Sequence, residues 1–357
     1  MAKKKYYRVD KIKTHKAHYN ILLGQKSNGK SYAVKEDVLM RCYKTTSKLI
    51  YMRRYQFDIK ASDVEAYFCD MPIKSITNGD YSMVVCYRGS IYFGNYDDEK
   101  EKVIRGKEIG RYVALSEYSH FASQAFPGVT DIIYEEFVTD GSYLNNEPYI
   151  MQKFVSTIAR DNDITVWMIG NTISRLNPYY QEWCLDKIPR QKQGTIDDYY
   201  FDRYDEASGQ MKTTHVAVEY CESNGSNSSM FFGRAADHIT GGQYETREHA
   251  KFPGKKKDST MLYELIFTSQ GFHFIVQLWV QNETGGMFIY VYPYTYKRPV
   301  TRVISDLFSP DPYVTIHLRD DIPAEQMMKD CLKNKKICFS DNLTGTDFEQ
   351  VLQNRRV

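Results

Sequence analysis

The fold of this chain follows from eight consecutive residues, Gly24-Gln25-Lys26-Ser27-Asn28-Gly29-Lys30-Ser31. They match G-x-x-x-x-G-K-[ST], the phosphate-binding loop (P-loop) of nucleoside triphosphatases. An apolar segment at 19–23 precedes the octet, and residues 31–43 form a helical pattern directly after it. The motif requires this order of strand, glycine loop and helix. The octet therefore predicts a nucleotide-binding α/β domain in which all eight residues contact the nucleotide.

The chemistry of phosphate binding assigns a role to each part of this loop. Gly24 and Gly29 let the backbone turn tightly, so that its amides and the N-terminus of the helix cradle the β-phosphate. Lys30 is expected to reach the β- and γ-phosphate oxygens, and the hydroxyl of Ser31 is expected to bind Mg²⁺. Lys26 lies inside the loop, where it is a candidate catalytic cation within its own subunit. ATP and Mg²⁺ are the predicted cofactors.

A second ATPase element is an apolar strand that ends in acidic residues. Residues 132–137 read Ile-Ile-Tyr-Glu-Glu-Phe, about a hundred residues after the loop. One carboxylate at such a strand tip helps to hold Mg²⁺, and a second orients the water that attacks the γ-phosphate. We assign Glu135 to the metal and Glu136 to the water. Aspartate is the usual residue at the first position, and the longer glutamate is expected to hold the ion through a water molecule.

Two further residues fit the chemistry, each with an alternative that the sequence leaves open. Asn171 follows the buried strand pattern at 165–169, where a polar tip can sense the γ-phosphate, but a turn residue would look the same. Arg160 ends an amphipathic helix with apolar residues at Ile150, Met151, Phe154, Val155 and Ile158. It is a candidate arginine finger that reaches a neighbouring subunit, or a cation that the helix C-terminus favours.

Charge across the whole chain does not indicate a nucleic-acid partner, because the net charge of the 357 residues is only +2. Two segments of the chain are nevertheless strongly basic. The N-terminus is basic at Lys3, Lys4, Lys5, Arg8, Lys11, Lys13 and Lys16, and Lys255, Lys256 and Lys257 form a second run. Arg53 and Arg54 end a predicted strand and are candidates for contacts to a nucleic-acid backbone, with surface salt bridges as the alternative. Solvated loops are the alternative for the lysine runs.

Cysteine spacing and hydropathy exclude several other classes. The seven cysteines include no C-x-x-C pair, so neither a zinc site nor a disulfide framework is predicted, and reduced thiols fit best. No apolar segment follows the basic start, which argues against a secretory signal. No apolar run reaches the length of a membrane span, so no membrane partner is expected.

The order of the patterns predicts two domains joined by a linker. Residues 1–190 alternate strands with helices and contain a hairpin at 82–93, which predicts a mostly parallel sheet covered on both faces. Residues 191–259 lose this periodicity and are interpreted as a linker, with a helix near 196–206. Residues 260–357 carry three sequential strands at 261–268, 272–281 and 287–292, followed by helices near 324–333 and 347–354.

Taken together, the chain resembles the DNA-packaging ATPase of small short-tailed bacteriophages with protein-primed genomes. The matching segments keep the order of that family: 24–31, Tyr51-Met52-Arg53-Arg54-Tyr55, 106–116, 132–137 and 169–179 with its Asn177-Pro178-Tyr179. The similarity is good to about residue 190 and is weaker but collinear from 261 to 292. No single motif beyond the P-loop is decisive, whereas the ordered set is.

The resemblance implies a homopentameric ring motor that moves double-stranded DNA. It implies an N-terminal ATPase of the additional-strand, catalytic-glutamate (ASCE) class and a C-terminal RNase H-like domain, a vestigial nuclease of α+β type. The implied partners are double-stranded DNA, other copies of the chain, the viral portal of the prohead and a structural packaging RNA. The implied location is the host cytoplasm, transiently at the portal vertex.

Carried over by position, the resemblance assigns Lys30 and Ser31 to nucleotide and Mg²⁺, makes Glu136 catalytic and makes Arg160 the finger supplied to a neighbouring subunit. Glu135 departs from the aspartate of the family. Arg160 requires a one-residue shift in the alignment.

Nuclease activity is not expected from the C-terminal domain. Two-metal nucleases need several converging carboxylates, the first on the opening strand. The strand at 261–268 offers only Glu264, and Asp306 and Asp311 lie in loop-like sequence. The domain is expected to bind nucleic acid or the portal instead, with a contribution from the lysine run at 255–257.

The predicted function is ATP-driven translocation of double-stranded DNA into a prohead. A helicase or recombination ATPase with the same nucleotide core is one alternative. A non-catalytic scaffold that binds nucleic acid is another, and the adjacent Glu135 and Glu136 argue against it because binding alone does not need a second carboxylate.

Overall fold

The computed structural model describes residues 6–139, 142–160, 163–206, 209–223, 232–269, 272–294 and 302–354. The chain forms two compact units. The first comprises Met1–Ser174 and Gln191–Gln243, and the second comprises Arg175–Arg190 and Tyr244–Val357.

The strands are β1 (Tyr19–Gly24), β2 (Lys48–Arg53), β3 (Met83–Tyr87), β4 (Ser90–Asp97), β5 (Lys102–Ala114), β6 (Val129–Glu135), β7 (Thr165–Asn171), β8 (Ile196–Asp205), β9 (Gln210–Tyr220), β10 (Ser259–Ser269), β11 (Phe272–Gln281), β12 (Met287–Pro293), β13 (Val303–Ser305), β14 (Val314–Thr315) and β15 (Ile337–Phe339). The helices are α1 (Asp10–Lys13), α2 (Lys30–Lys44), α3 (Ala61–Phe68), α4 (Ile73–Ile76), α5 (Tyr118–Phe121), α6 (Glu147–Ile158), α7 (Pro178–Glu182), α8 (Gly233–Gly241), α9 (Pro323–Lys333) and α10 (Asn342–Asn354). Short 3₁₀ helices span Gln56–Asp58, Leu115–Glu117, Ile188–Arg190 and Lys256–Asp258.

The described part of the first unit is built on a nine-stranded sheet with the order β3-β4-β5-β2-β6-β7-β1-β9-β8. Six consecutive strands of this order, β5, β2, β6, β7, β1 and β9, run parallel to one another, which confirms the predicted mostly parallel sheet. β7 lies between β1, which leads into the P-loop, and β6, which ends at Glu135, directly before Glu136. This inserted strand is the additional strand of an ASCE ATPase.

Apolar runs explain why the central strands are parallel and covered on both faces. Ile21, Leu22 and Leu23 of β1 are fully buried, and β7 is buried from Val166 to Gly170. Unbroken apolar runs are typical of parallel strands with helices on both sides. α2 follows the P-loop and buries a stripe of residues spaced for one helix face: Val34, Val38, Leu39 and Cys42.

Antiparallel strands close both edges of this sheet. The predicted hairpin at 82–93 is confirmed, since β3 and β4 pair antiparallel. The interpretation of residues 196–206 as a helix within a linker is wrong. β8 occupies this segment as an edge strand, and β9 pairs parallel with β1, with Tyr19 opposite Val216. The charged residues of β8 conceal it in the sequence, because polar edge strands lack clean alternation.

The second unit contains, in its described residues, a six-stranded sheet with the order β14-β13-β10-β11-β12-β15. The three sequential strands predicted from the sequence are confirmed as an antiparallel meander, β10-β11-β12. β13 pairs parallel with β10, and β14 pairs parallel with β13. A meander extended on its first strand by parallel strands is the arrangement expected of an RNase H-like sheet.

The core of the second unit is aromatic. Phe267 and Phe274 from the sheet pack around Phe348 of α10, with ring centroids 5.4 Å and 5.3 Å from that ring. The two helices predicted near the end of the chain correspond to α9 and α10. In the described residues, no helix has the length and hydropathy needed to cross a membrane.

Candidate active site

The carboxyl ends of β1, β6 and β7 meet at one edge of the nine-stranded sheet and border a cavity of about 820 Å³. Ligands of open α/β sheets bind at this edge, because parallel strands place all their carboxyl ends there. The cavity is lined by Tyr6, Tyr7, Lys26, Ser27, Asn28, Gly29, Lys30, Ser31, Tyr32, Lys35, Arg53, Tyr67, Asp70, Glu135, Glu136, Ile169, Gly170 and Asn171. Six of the eight loop residues, Lys26 to Ser31, thus come together with Glu135, Glu136 and Asn171. Gly24 and Gln25 are not among the described lining residues.

The P-loop has the backbone that its sequence predicts. Gly29 adopts a φ of 97°, which glycine reaches without steric cost, and it precedes the first turn of α2. The ammonium of Lys30 is buried and donates hydrogen bonds to the carbonyl oxygen of Gln25 at 2.7 Å and to Oδ1 of Asn28 at 3.3 Å. Burial lowers the pKa of Lys30, although the nearby carboxylate of Glu135 acts in the opposite direction. The loop itself therefore holds the lysine at the position where phosphate oxygens would be bound.

Glu135 is buried at the tip of β6 and accepts a hydrogen bond from the hydroxyl of Tyr67 at 3.0 Å. Burial raises the pKa of Glu135, and hydrogen bonds from Ser31 and Tyr67 partly offset that rise. The Ser31 hydroxyl and the Glu135 carboxylate are oxygen ligands, which Mg²⁺ prefers. Among the described residues, no group of three or more His, Cys, Asp and Glu side chains is placed to hold a metal. The donor set fits an ion that is held jointly with nucleotide phosphates and water.

Glu136 lies immediately beyond the strand and has a different environment. Its φ is 54°, in the left-handed region, and its side chain is 57% exposed. Oε2 of Glu136 accepts a hydrogen bond from Nη2 of Arg53 at 2.6 Å. The carboxylate is in the cavity, as a group that orients water must be, but Arg53 engages it. For Arg53 the sequence left a nucleic-acid contact and a salt bridge open, and in the structure its side chain forms an ion pair with Glu136.

Arg54 is buried in an ion pair, so of the two alternatives that the sequence left open its placement favours a salt bridge over a contact to a nucleic-acid backbone. Its Nε donates to Oε2 of Glu147 at 2.7 Å, and its Nη2 donates to the carbonyl oxygen of Phe137 at 2.6 Å. The guanidinium also stands 4.6 Å from the ring centre of Tyr143. A cation with these partners fixes the loop after β6, so it positions the segment next to Glu136.

The remaining predicted residues divide between the cavity and the surface. Asn171 and the exposed Lys26 line the cavity. Arg160 is not among the lining residues found in the described chain. It is exposed beyond the end of α6, with its Nη2 3.5 Å from the carbonyl oxygen of Ala122. An exposed arginine outside its own cavity has the placement that a finger for a neighbouring subunit requires, and this role stays a prediction.

Neither lysine run contributes a described residue to the lining of this cavity. Lys3, Lys4 and Lys5 of the N-terminal run fall outside the described residues. Lys255, Lys256 and Lys257 belong to the second unit and are exposed, and the ammonium of Lys256 stands 4.9 Å from the ring centre of Tyr290. Their role in binding nucleic acid stays a prediction.

Sequence reasoning missed eight described residues of the cavity wall, and three of them, Tyr7, Lys35 and Tyr67, have informative contacts. Tyr7 donates its backbone N–H to the carbonyl oxygen of Asn28 at 3.0 Å and its hydroxyl to Oε2 of Glu219 at 2.8 Å, which joins the N-terminal segment to the P-loop and β9. Lys35 and Tyr67 form the wall beside Glu135. Lys35 is four residues after Ser31 on α2, so helical spacing gave a signal for it. Nothing local marks Tyr7 or Tyr67, because their partners are distant in sequence.

Comparisons with known proteins agree on one family. A family model described as Podovirus DNA encapsidation protein (Gp16) matches residues 1–311. The DNA packaging proteins of Bacillus phage PZA and Bacillus phage phi29 are each 24% identical over 302 residues, which is 81% of this chain and 80% of theirs. Among solved structures, a chain of the bacteriophage Phi-29 viral genome packaging motor assembly matches with a TM-score of 0.54 and 18% identity, covering 98% of this chain and 99% of that chain. This structural similarity shows a shared fold.

Proposed function

The chain belongs to the Podovirus DNA encapsidation protein family, and from this we propose that it is an ATP-hydrolysing motor subunit that drives double-stranded DNA into a viral prohead. The observation that carries the proposal is the convergence of the P-loop, Glu135 and Glu136 on one cavity at the carboxyl edge of the sheet. The relatives are named DNA packaging proteins, which supports the choice of DNA as the polymer that is moved.

The mechanism assigns a task to each side chain in the cavity. The loop amides and Lys30 would bind the phosphates of ATP, and Ser31 and Glu135 would hold Mg²⁺, which would supply positive charge against the phosphate oxygens. Glu136 orients the attacking water and accepts its proton. Arg53 donates to one oxygen of this carboxylate, Oε2, and the second oxygen can accept the hydrogen bond from the water. Asn171 contacts the γ-phosphate from the tip of β7, and Lys26 supplies positive charge from within the same subunit.

The active site is shared between subunits of a homopentameric ring. Arg160 of one subunit inserts into the cavity of its neighbour and stabilises the charge of the transition state, a role worth about 10³–10⁵ in rate where it has been measured. Its exposed position beyond α6, outside its own cavity, supports this assignment. In a ring, each such arginine can serve the next subunit.

DNA contacts in this motor are mainly to phosphates, so they are independent of sequence and weaken as salt rises. Lys255, Lys256 and Lys257 are the exposed cations that we assign to nucleic acid. Because Arg53 and Arg54 have carboxylate partners, we assign neither to the DNA. The ring works in the host cytoplasm at the portal vertex of the prohead, where the portal and a structural packaging RNA are its further partners.

The test measures ATP hydrolysis with and without double-stranded DNA for wild type, Glu136→Gln and Arg160→Ala, and then for a mixture of the two variants. DNA is expected to stimulate the wild type, and each variant alone should be inactive. The mixture should recover part of the activity, because a subunit that lacks Arg160 keeps its Glu136 and can receive the arginine of its neighbour.

Arg203→Ala is the matched control for Arg160→Ala, because Arg203 is also an exposed arginine of the first unit, on β8. It should hydrolyse ATP as the wild type does. Hydrolysis that survives Glu136→Gln would contradict the assignment of the water-orienting carboxylate. A mixture that stays inactive would contradict the shared site while leaving the ATPase itself intact.

A further inference from the structure

The wall of the cavity contains a tyrosine whose hydroxyl points at the predicted metal ligand. Tyr67, at the C-terminal end of α3, donates a hydrogen bond to Oε1 of Glu135 at 3.0 Å. Its ring stacks on that of Tyr51 from β2, with a centroid separation of 4.4 Å, and meets Phe68 edge-on at 5.0 Å. The ring is therefore packed on two sides while its hydroxyl faces the carboxylate.

A buried lysine holds this tyrosine in place. The ammonium of Lys35 donates to the carbonyl oxygen of Tyr67 and to Oδ1 of Asp70, each at 2.5 Å, and it stands 4.4 Å from the centre of the Tyr67 ring. The Lys35 side chain is only 4% exposed, whereas Asp70 is 54% exposed. Lys35 is thus anchored at the end of α3 rather than free to bind a ligand.

Helical geometry connects this anchor to the P-loop. Lys35 and Ser31 are four residues apart on α2, so they lie on one face of that helix. The same helix that presents the Ser31 hydroxyl to the cavity therefore also fixes the segment that carries Tyr67. Glu135 is in contact with both, through hydrogen bonds from Ser31 and from Tyr67.

A glutamate at this position needs such support more than an aspartate would. Its side chain has one more methylene and one more torsion, so holding the carboxylate in a single orientation costs more conformational entropy. Carboxylates that bind metals are commonly hydrogen-bonded by a second layer of residues, and loss of such a partner typically costs 10–100-fold in metal affinity or activity.

We propose that Tyr67 is a positioning residue. Its hydroxyl orients the Glu135 carboxylate toward the magnesium ion that accompanies ATP, and Lys35 and Asp70 hold Tyr67 in place. The inference rests on the proposed function, because it concerns the same nucleotide site. Tyr67 acts through Glu135, the carboxylate that its hydroxyl contacts.

The test replaces Tyr67 with phenylalanine, which keeps the packed ring and removes the hydroxyl. Affinity for Mn²⁺ is measured by the loss of the free-ion electron paramagnetic resonance signal in the presence of a non-hydrolysable ATP analogue, after subtraction of the Mn²⁺ that the analogue binds without protein. We expect Tyr67→Phe to bind Mn²⁺ roughly 10-fold more weakly than the wild type. The Mg²⁺ concentration for half-maximal ATP hydrolysis should rise by a similar factor, with the rate at saturating Mg²⁺ changed much less.

Tyr43→Phe is the matched control, because it also removes a tyrosine hydroxyl that donates to a carboxylate, that of Asp80 at 2.7 Å, outside the cavity. It should leave Mn²⁺ affinity unchanged. Asp70→Asn is a second variant that alters an exposed side chain and weakens the hold on Lys35. It should weaken Mn²⁺ binding in the same direction as Tyr67→Phe but by less.

A double-substitution cycle separates positioning from general damage. In a Glu135→Asp background the carboxylate ends about 1.5 Å short of its original position, beyond the reach of the tyrosine hydroxyl. Tyr67→Phe should then cause little further loss of Mn²⁺ affinity. An equal loss in both backgrounds, or unchanged affinity of Tyr67→Phe in the Glu135 background, would overturn the proposal.

These outcomes differ from those that test the motor itself. A wild type that binds Mn²⁺ with the analogue but does not hydrolyse ATP would contradict the proposed function and leave the role of Tyr67 intact. A wild type that hydrolyses ATP, with Tyr67→Phe unchanged in Mn²⁺ affinity, would contradict the role of Tyr67 alone. A wild type without measurable Mn²⁺ binding would contradict both.

Discussion

The two sheets of this chain end in different ways. In the nine-stranded sheet six neighbouring strands run parallel, so their carboxyl ends share one edge, and β6 and β7 bring Glu135, Glu136 and Asn171 to one cavity. In the six-stranded sheet β10, β11 and β12 form an antiparallel meander, and the acidic residues of this unit have separate partners. Glu264 accepts a hydrogen bond from the side-chain amide of Gln277 on β11, and Asp306 accepts one from the hydroxyl of Ser269 at 2.7 Å.

The cavities of the two units reflect this difference. The cavity of the first unit is lined by the P-loop and charged residues. The second unit has a largely apolar cavity of about 500 Å³ between its sheet and the helices α9 and α10, lined by residues such as Leu265, Ile289 and Met328. Strand direction, more than composition, determines where polar groups converge. Parallel strands gather their ends at one edge, and an antiparallel meander distributes them over two.

The largest expected effect contrasts one glutamate from each sheet. Glu136→Gln should lower the rate of ATP hydrolysis by roughly 10²–10⁴-fold, because a positioned general base contributes about that much. Glu264→Gln, which makes the same chemical change in the second unit, should leave the rate unchanged. The measurement is steady-state phosphate release at saturating ATP and Mg²⁺. A comparable loss in Glu264→Gln would show that the second sheet takes part in hydrolysis.

Sequence reasoning found the elements of the first site that are local in the chain. The P-loop, the carboxylates of β6 and the tip of β7 follow from short patterns, and the structure places all three around one cavity. Short patterns cannot reveal partners. Arg53 is 83 residues from Glu136, and Tyr67 is 68 residues from Glu135, so their pairing depends on the tertiary fold.

The fold could be predicted where hydrophobic periodicity is strong and could not where edge strands are polar. The meander at 261–292 reads clearly because its strands alternate or are buried. β8 contains Asp197, Asp198, Asp202 and Asp205, which are depleted in strands, so the segment was interpreted as a linker with a helix. Its pairing with β9, which continues the parallel sheet beyond β1, supplies the backbone hydrogen bonds that composition does not indicate.

The second prediction concerns a feature that the two units share, a buried arginine–glutamate pair. Arg54 and Glu147 in the first unit, and Arg302 and Glu325 in the second, each have Nε–Oε distances of 2.7 Å and side chains no more than 8% exposed. Arg54→Met and Arg302→Met should each lower the free energy of unfolding of their own unit by about 3–5 kcal/mol, because each removes the guanidinium that compensates the charge of a buried carboxylate.

Urea unfolding followed by hydrogen exchange of core amides measures the two units separately. Removing the charge of the glutamate as well tests whether the uncompensated carboxylate causes the loss of stability. The pair Arg302→Met with Glu325→Gln should recover part of the loss, because the uncompensated charge is removed. Burial would raise the pKa of Glu325, but the hydrogen bonds from Arg302, Arg319 and Tyr263 together outweigh it and lower the pKa. The stabilisation is therefore present above the ordinary pKa and lost as the pH falls through the lowered value. A loss that is equal in both units for either single variant would contradict their separate stability.

The third prediction tests whether β8 stabilises the first unit. Asp198 accepts hydrogen bonds from His15 at 2.8 Å and from His215 at 2.8 Å, and thus joins the N-terminal segment, β8 and β9. Asp198→Asn should lower the free energy of unfolding of the first unit by roughly 1–2 kcal/mol near neutral pH. The neighbouring Asp197→Asn, on the opposite face of the strand, is the control and should have little effect.

The pH dependence of this effect has a defined sign. Burial would raise the pKa of Asp198, but the hydrogen bonds from His215 and His15 dominate and lower it. A lowered pKa in the folded state gives stability that is present above the ordinary pKa near 3.8 and lost as the pH falls through the lowered value. The difference between wild type and Asp198→Asn should therefore shrink in acid. A difference that grows as the pH falls, or one that affects the second unit, would contradict this role of β8.

The smallest expected effect concerns DNA cleavage, which we expect the second unit not to catalyse. Two-metal nucleases need carboxylates that converge on the metal ions. The described residues contain no group of three or more potential ligands that could hold one ion, and Asp311 accepts a hydrogen bond from the backbone N–H of Tyr313 at 2.9 Å. The full chain, incubated with supercoiled plasmid and Mg²⁺ or Mn²⁺, should cut no more than it does in EDTA. Metal-dependent cleavage that Glu264→Gln abolishes and Glu136→Gln does not would assign the activity to the second unit. An antiparallel meander would then gather carboxylates as effectively as the parallel strands of the first.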